Sequence, residues 1–404
     1  MALAPVPSDA SPLRCVAWAE QDLAGEWTVV WSFPGPSSRE AECLIAARSP
    51  DVDGPCFSRV GDDWCYSAPV AYAAPRERGR AAGAVHLIAS EFHPERWLSL
   101  AAHVAGLAEA DPSPMPMQRA YLEAVTSGEV AGADGPAWRS DATADGAALM
   151  EASRLGAVCR ILGRDLPVVW AALLLRRRVV FYAGSAADVC QACRAMPLLV
   201  AHRGRREWER LRPLVCGAAG SARLAAPLPG AGAPAAEVKA AREAAAASSS
   251  SAAEGAVSAA QMAAAGGLAE LAELATTSWS IAGTTAAALE GMPSLWDVWV
   301  DLSARRVAVS AACEGLLRAD TPAHATAMAA AVEAATAAGG AGAEAAGPAI
   351  GRALAKVSKQ LVAKLSDVGE PTEAALEAAG VSGPMVQLML GIARAEPGVR
   401  VPPA

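Results

Sequence analysis

Residues 166–184 constrain the fold of this chain more than any other stretch. They read LPVVWAALLLRRRVVFYAG, so an apolar run passes through the three arginines Arg176, Arg177 and Arg178 into a β-branched run. The first part predicts a helix over 166–178 that is apolar on nearly all sides and is therefore buried. The second part, VVFYAG, predicts a short buried strand. The arginines would then lie in the last turn of the helix, where positive charge is favourable.

Segments on both sides of this unit continue the alternation of helix and strand. ALMEASRLGAVCRIL at 148–162 predicts a helix before it, SAADVCQACRAM predicts a helix after it, and PLLVAHR predicts a further strand or the end of one. WDVWVDLS, a turn at 304–306 and VAVS then predict a hairpin. Helices that alternate with strands indicate an α/β domain with at least partly parallel strand pairing.

The first part of the chain has a different pattern, in which strands follow one another directly. Two hairpins are predicted, one over 13–34 with its turn at 22–25 and one over 57–72, and AVHLIASEF adds a strand over 84–92. The predicted helices follow the capping-box pair Ser37 and Glu40, follow His93-Pro94, and span 117–128. The order ββαβββαα indicates a single antiparallel sheet with helices packed on it.

Two segments are too poor in large side chains to bury a core. Residues 217–265 are almost wholly Ala, Gly, Ser and Pro, which predicts a disordered low-complexity insertion. Residues 321–348 are again rich in Ala and Gly and are expected to be flexible. AIGRALAKVSKQLVAKL then predicts an amphipathic helix over 349–365, which opens a C-terminal helical region over 349–396. A polar linker at 131–142 separates the first domain from the second.

Composition limits the classes of function. The chain has 404 residues, 53% of them hydrophobic, so it can bury a sizeable core. Its net charge of −8 argues against a general nucleic-acid binder, because phosphate neutralisation needs a basic face. No apolar run approaches the about 20 residues that span a bilayer, and the N-terminus lacks the pattern of a secretory signal. Nine scattered cysteines favour buried thiols in a reducing compartment, so a cytoplasmic location is expected.

The usual motifs of nucleotide-binding and hydrolytic enzymes are missing from the sequence. It has no Gly-x-x-x-x-Gly-Lys-Ser/Thr loop, no Gly-x-Gly-x-x-Gly after a predicted strand and no Gly-x-Ser-x-Gly elbow. Cys190 and Cys193 have the spacing of half a zinc site or of a redox dithiol. Because no second Cys or His pair accompanies them, we expect two buried helix thiols, no bound metal and no cofactor.

Other candidate residues also lack partners for catalysis. His86 and His103 have no nearby nucleophile motif, so packed or surface histidines are expected. The run HRGRREWERLR at 202–212 could dock an anionic lipid head group or an acidic partner surface. A solvated helix with internal ion pairs and an inward-facing Trp208 is expected instead. Without a catalytic constellation, the residues alone indicate a two-domain interaction protein.

The order of these segments resembles that of the DENN-domain family. LGRDLPVVWAALLLRRRVVFYAG, followed by a helix and LLVAHR, is similar to the central part of the domain. SIAGTTAAALEGMPSLWDVWVDLSARRVAV is similar to a second stretch, in which a strand ends in Val-Asp-Leu, here Val300, Asp301 and Leu302. EWTVVWSFP, EFHPERW and YLEAVTSG match a small, single-module member of the family at similar spacing. The resemblance covers residues 13–215 and 266–318.

The resemblance implies a fold in the α/β class with the two lobes of a DENN module. An α+β longin-like N-terminal lobe would span 13–130, and an α/β DENN lobe would span 140–318 with the low-complexity insertion inside it. The activity of the family implies a guanine-nucleotide exchange factor for a Rab-type small GTPase, with no covalent chemistry and no cofactor. It also implies recruitment from the cytoplasm to late endosomes through a partner.

The resemblance also implies where the GTPase would bind. In the family, the switch regions of the GTPase engage the groove between the two lobes, which corresponds here to contacts on 279–301. The candidate contact residues are Trp279, Thr284, Thr285, Trp296, Asp297 and Asp301. Trp296 and Trp299 alternate along a predicted strand, so either of them could belong to the core.

Alternatives without exchange activity remain open. A DENN-fold adaptor would bind a GTPase or an endosomal sorting complex without releasing nucleotide, and the three alanines at 286–288 favour it. A lipid- or metal-binding module that uses the 202–212 arginines or the Cys190 and Cys193 pair lacks the ligands that it would need.

Overall fold

The computed structural model of the chain shows two β-sheets with helices packed against both, which is a mixed α/β fold. The described residues are 11–24, 27–35, 45–46, 48–49, 52–60, 62–71, 80–133, 135–140, 154–203, 206–215, 274–275, 279–317, 341–381 and 383–396. The predicted low-complexity insertion at 217–265 lies outside them, as does most of the helix predicted after Ser37 and Glu40.

The first sheet has five strands in the order β2-β1-β5-β4-β3, with every neighbouring pair antiparallel. The strands are β1 (Leu13–Asp22), β2 (Trp27–Phe33), β3 (Cys56–Val60), β4 (Asp63–Val70) and β5 (Arg80–Ala89). Both predicted hairpins and the following strand are therefore confirmed, as is the antiparallel sheet. In the first hairpin, Trp18 pairs with Trp31 but Ala19 pairs with Val29, so Val30 is the extra residue of a β-bulge.

Two helices cover one face of this sheet: α1 (Pro94–Ala110) and α2 (Pro114–Thr126). Both begin with a proline, which has no backbone N–H to lose in the first helical turn. For this reason α2 starts at Pro114, three residues before the predicted helix over 117–128. The apolar stripe of α1, which includes Trp97, Leu100 and Val104, is buried against the sheet as predicted.

A small hairpin follows α2 where the sequence predicts a linker. Its strands, β6 (Glu129–Val130) and β7 (Trp138–Arg139), pair with each other, and Trp138 is buried. The indole N–H of Trp138 donates to Ser99 Oγ at 2.9 Å, which fastens this segment to α1. The linker prediction for 131–142 is therefore wrong at Trp138 and Arg139. A strand of two residues is too short to show a periodic pattern in the sequence, so it could not be recognised there.

The second sheet has four strands in the order β11-β10-β8-β9. The strands are β8 (Val179–Tyr182), β9 (Ile281–Thr284), β10 (Val298–Asp301) and β11 (Arg306–Val309). β8 is parallel to both β9 and β10, and β11 pairs antiparallel with β10, so the predicted partly parallel pairing and the predicted hairpin are confirmed. β9 was not predicted. Beyond β9, Val215 N donates to Gly283 O at 2.8 Å, so residues 212–215 run alongside that strand.

The helices around this sheet follow the predicted order, with one correction. They are α3 (Leu155–Leu162), α4 (Leu166–Leu174), α5 (Ala186–Ala195), α6 (Arg206–Glu209) and α7 (Glu314–Leu317). The segment predicted as a strand or its end, PLLVAHR at 197–203, instead belongs to a 3-10 helix over Met196–Arg203 with a kink at Val200. Leu198, Leu199 and Val200 are all buried, and an apolar run that is buried on every side carries no period to distinguish helix from strand.

The three arginines after α4 lie beyond the helix, which ends at Leu174 instead of the predicted residue 178. Arg176 has a left-handed backbone with φ 51°. Its N–H donates to Leu173 O at 3.1 Å, and the N–H of Arg177 donates to Ala172 O at 2.8 Å. This is a Schellman motif with arginine at the position that glycine usually occupies. The arginines therefore form the turn between α4 and β8, not the last turn of the helix.

The C-terminal helices pack on the second sheet's side of the molecule. They are α8 (Ala341–Val368), α9 (Glu373–Ala378) and α10 (Pro384–Ala395). α8 lies against α3 and the 3-10 segment, and the indole N–H of Trp170 in α4 donates to Ser358 Oγ at 3.1 Å. The helix predicted over 349–365 is part of α8 and begins earlier than predicted. Residues 341–348, which were expected to be flexible, are therefore helical, and residues 321–340 lie outside the described residues.

Candidate functional site

Helix α5 joins the two sheets. On one side the Sγ atom of Cys190 accepts from Phe57 N at 3.4 Å and donates to Phe57 O at 3.2 Å, which attaches α5 to β3. On the other side Cys193 packs against β9. Burial raises the pKa of Cys193 well above its ordinary value, so the thiol stays protonated. The prediction of two buried helix thiols is confirmed, and no group of residues suited to a metal is found within the described ranges.

A buried ion pair also joins α5 to helix α1. Arg194 of α5 meets Glu95 of α1, and their side chains are 5% and 8% exposed. Burial lowers the pKa of Arg194 to about 10, which leaves the guanidinium charged at neutral pH. Because two charges that are buried together must stay paired, this contact fixes how α5 sits against α1.

Trp279 and Trp296, two predicted GTPase contacts, are core residues. Their indole N–H groups donate to the backbone, that of Trp279 to Leu274 O at 2.8 Å and that of Trp296 to Leu289 O at 3.1 Å. Both belong to a cluster with Trp299 on the face of the second sheet that points away from α4 and α5. Both Trp296 and Trp299 are therefore core, because Trp296 precedes β10 and folds back onto the same face.

The other predicted contacts have structural partners as well. Thr284 is fully buried, and its Oγ1 accepts from Ala286 N at 3.0 Å. Asp297 Oδ2 accepts from Arg178 N at 2.8 Å, which ties the start of β8 to the start of β10. Asp301 Oδ1 accepts from Ala304 N at 2.8 Å in the turn before β11. Thr285, Asp297 and Asp301 remain partly exposed.

The structure divides the six predicted residues between two ends of the second sheet. In the strand register, Asp301 pairs with Tyr182 and Tyr182 pairs with Thr284. These residues therefore lie at the carboxyl ends of three parallel strands, and Thr285 follows Thr284 at the same end. Trp279, Trp296 and Asp297 lie at the amino ends, about 10 Å away along four-residue strands. The carboxyl edge of a parallel sheet is the usual place for a binding site in α/β proteins. Thr285 and Asp301 are the predicted residues that combine this edge with accessible side chains.

A second surface carries exposed apolar side chains. The large hydrophobic residues that are exposed within the described ranges are Leu23, Val30, Met115 and Leu122. All of them lie on the turn before β2, on the edge strand β2 itself, or on α2, which packs against β1 and β2. We call these four residues the β2–α2 surface. Because their elements neighbour one another, these side chains make this region a candidate for a protein contact, which the sequence alone did not single out.

The polar cluster around His86 is internal. His86 is fully buried, with Nδ1 2.8 Å from Ser67 Oγ and Nε2 3.0 Å from Ser49 Oγ. Burial lowers its pKa to about 3, so the ring is neutral at physiological pH. The cluster fastens Ser49, which follows the helical residues 45, 46 and 48, to the sheet and offers a substrate no access. His103 contacts Ala131 O at 3.1 Å, so the packed and surface roles predicted for the two histidines are confirmed.

The arginine-rich run at 202–212 departs from its prediction as a solvated helix. Among its described residues, His202 and Arg203 end the 3-10 helix and Arg206–Glu209 form a short α-helix. Glu207 is buried, with Arg176 Nη2 3.6 Å away. Ser280 Oγ donates to the same carboxylate at 3.4 Å. The side chain of Arg203 is also buried, while Trp208 packs inward against the core as predicted. Arg203 and Glu207 thus serve to hold the surroundings of the second sheet together, while Arg210 is exposed.

Comparison with known proteins gives one partial similarity. No family model matches the sequence. The chain is 22% identical over 153 residues to DENN domain-containing protein 10 from Dictyostelium discoideum. The match covers 38% of this chain and 28% of that protein, so it spans well under half of the relative's length. The similarity supports a DENN-related origin for this part of the chain. In the part of the chain that the structure describes, none of the helices combines the length and the apolar character that crossing a bilayer requires.

Proposed function

We propose that the protein binds a Rab-type small GTPase and acts as its guanine-nucleotide exchange factor. The observation that carries this proposal is the similarity to a DENN domain-containing protein. The fold is compatible with it, since the antiparallel sheet would form the longin-type lobe and the partly parallel sheet the DENN lobe. Exchange requires no covalent chemistry, which agrees with His86, Cys190 and Cys193 all being buried.

An exchange factor works through differential binding. It binds the nucleotide-free GTPase more tightly than the loaded form, and reciprocity of coupling means that it weakens nucleotide binding by the same factor. Cellular GTP then displaces the factor. We place the GTPase contact at the carboxyl edge of the second sheet, where Thr285 and Asp301 are accessible. This location keeps two of the six sequence-predicted residues and omits Trp279, Thr284 and Trp296, whose buried side chains offer a partner no surface.

A non-catalytic adaptor is the second candidate, and a specific observation favours it. Half of the predicted GTPase contacts are buried, whereas the exposed apolar residues lie elsewhere, on the β2–α2 surface. An adaptor would use that surface to hold a GTPase or an endosomal sorting complex without changing nucleotide affinity. In both candidates the protein would act in the cytoplasm and reach late endosomal membranes through its partner.

A binding experiment separates the two candidates. The full chain is tested against a panel of Rab proteins in nucleotide-free and GTP-loaded forms, together with two pairs of substitutions. Thr285→Ala with Asp301→Asn changes the carboxyl edge and keeps an oxygen at residue 301 that can accept from Ala304. Val30→Ser with Leu122→Ser changes the β2–α2 surface at exposed positions.

The exchange-factor proposal predicts preference for a nucleotide-free Rab and a loss of about tenfold or more with the first pair of substitutions. The adaptor predicts equal binding of both nucleotide states, or a loss confined to the second pair. Binding of no Rab in either form would contradict both candidates.

A further inference from the structure

Helix α8 carries a row of basic side chains on the face that it turns away from the protein. Arg352, Lys356, Lys359 and Lys364 are all exposed. Three of the four lysines in the whole chain are in this row, although basic residues elsewhere are nearly all arginine. The opposite face packs on the protein through Ile350, Leu354, Leu361 and Leu365, which are buried. The orientation of the basic row is therefore fixed by the core.

These positive charges are not neutralised locally. No acidic residue occurs between Arg352 and Lys364 in the sequence. Within the described ranges, none of the four basic side chains forms an ion pair. The nearest acidic residue along the chain, Asp367, lies three residues after Lys364 in the last turn of α8, and Glu370 follows the end of the helix. The row is thus a local concentration of basic residues within a chain whose net charge is −8.

The basic residues extend along the axis of α8. Residues 352, 356 and 359 are spaced four and three apart, which puts them on one face of a helix. Lys364 is exposed too, but it lies about a quarter to a third of a turn around the helix from those three residues. From Arg352 to Lys364 the helix advances about 18 Å. Helix α3 packs beside α8, and Arg160 on α3 and Arg164 just after it are also exposed.

Between the basic residues the exposed side chains are small or neutral. They are Ala353, Gln360 and Ala363. A peptide that docks through an apolar anchor would need a pocket for it, and the exposed residues of this face include none of the large apolar side chains that such anchors contact. A flat array of long, flexible cations suits a flat array of anions instead.

We propose that the exposed face of α8 adsorbs directly to a membrane surface that contains anionic phospholipids. The Debye length is about 8 Å at physiological ionic strength, so at contact the local patch outweighs the net negative charge of the rest of the chain. Because the apolar face of α8 is occupied by the protein's own core, adsorption occurs through charge without insertion of the helix. This surface consists of other residues than the two surfaces proposed for GTPase or adaptor binding, so direct adsorption would add to recruitment through a partner whichever of those functions is correct.

Vesicle flotation of the full chain tests this proposal. The probes are phosphatidylcholine vesicles with and without phosphatidylserine. We expect binding only to the vesicles with phosphatidylserine, and we expect added salt to release the protein. Substituting Arg352, Lys356, Lys359 and Lys364 by Gln should lower binding more than about 100-fold, since each basic residue near an anionic surface contributes about fivefold. Gln is a good helix former, so these exposed substitutions leave α8 intact.

A matched control removes the same amount of charge elsewhere. Substituting Arg119, Arg139, Arg305 and Arg306 by Gln gives the same change in net charge at exposed positions outside α8. This variant should bind like the unmodified chain. An equal loss in both variants, or equal binding to both kinds of vesicle, overturns the proposal. Retention on immobilised poly-glutamate without vesicle binding also overturns it and assigns the patch to an acidic protein partner.

Discussion

Arg203 connects the end of α4 to the end of α10 through Glu396. Its Nε donates to Glu396 Oε1 at 2.7 Å. Its two terminal nitrogens donate to Leu173 O at 2.7 Å and to Leu174 O at 2.6 Å, carbonyls near the end of α4. The last carbonyls of a helix have no partner within it, so the guanidinium satisfies them and pairs with the carboxylate at the same time. His202 Nε2 lies 3.3 Å from the same carboxylate oxygen.

The first prediction concerns the acid stability that Glu396 provides. Burial opposes its ionisation, but the hydrogen bond with His202 and the charge of Arg203 together lower its pKa from 4.5 to about 2. A carboxylate with a lowered folded-state pKa contributes stability above pH 4.5, and this contribution is lost as the pH falls towards 2. Relative to Glu396→Gln, the unmodified chain should lose about 2–3 kcal/mol across this window. Urea unfolding at a series of pH values measures it, and parallel curves for the two chains would exclude this role.

A second pH effect should come from His86 in a different window. Burial lowers its pKa from 6.5 to about 3. Below pH 6.5 the unfolded chain takes up a proton that the folded chain does not, so stability falls as the pH drops from 6.5 towards 3. The slope should be about 1.4 kcal/mol per pH unit. His86→Gln should remove this slope between pH 6 and 5, a window below the ordinary pKa of histidine and above that of Glu396. His103→Gln, at the partly exposed histidine, is the control and should retain the slope.

Gly283 is predicted to be required for the packing of β9 on α5. A Cβ atom there would meet the side chain of Val189 and would lie 2.7 Å from Cys193 Sγ. Gly283→Ala should therefore cost about 1–3 kcal/mol of unfolding free energy through overpacking. Gly291→Ala is the control, because no atom lies within 4 Å of its added Cβ. Combining Gly283→Ala with Val189→Ala should recover part of the loss, and additive losses in the double variant would refute the steric explanation.

The Arg194 and Glu95 pair should show strong coupling. Arg194→Met leaves Glu95 buried without its partner, which should cost about 3–5 kcal/mol. Adding Glu95→Gln removes the unpaired charge and should restore a large part of that stability. A double-mutant cycle by chemical denaturation gives the coupling energy. A coupling near zero would mean that the pair does not hold α5 against α1.

Local periodicity explains which elements were predictable. Strands such as β1 and β4 are β-rich runs next to turn-forming residues, and α1 and α8 have long apolar stripes, so each was recognised from its own sequence. The 3-10 segment at 196–203 is buried on all sides and therefore shows neither period. β9 reads IAGT, which has little side-chain volume by which to recognise a strand. Its identity as a strand comes from β8, which pairs with it across almost a hundred residues of chain.

The candidate site was less predictable than the fold because it depends on contacts between distant residues. Nothing in the sequence near Trp279 or Trp296 shows that a second core covers the outer face of the sheet. Glu207 resembles a surface residue until its contact with Arg176 is seen. The sequence features that could have predicted the β2–α2 surface are an apolar residue at the turn before β2 and others on α2. Apolar residues at such positions are also common in cores, so the pattern alone did not distinguish them.

Nucleotide release from a panel of Rab proteins tests the central proposal most directly. Each Rab is loaded with a fluorescent guanine nucleotide, and its release into excess GTP is followed with substoichiometric amounts of the full chain. The exchange-factor proposal predicts that at least one Rab releases its nucleotide faster, with several turnovers per molecule of protein. It also predicts that Thr285→Ala with Asp301→Asn slows this release, while Val30→Ser with Leu122→Ser does not. Release rates equal to the spontaneous rate for every Rab in the panel would contradict it.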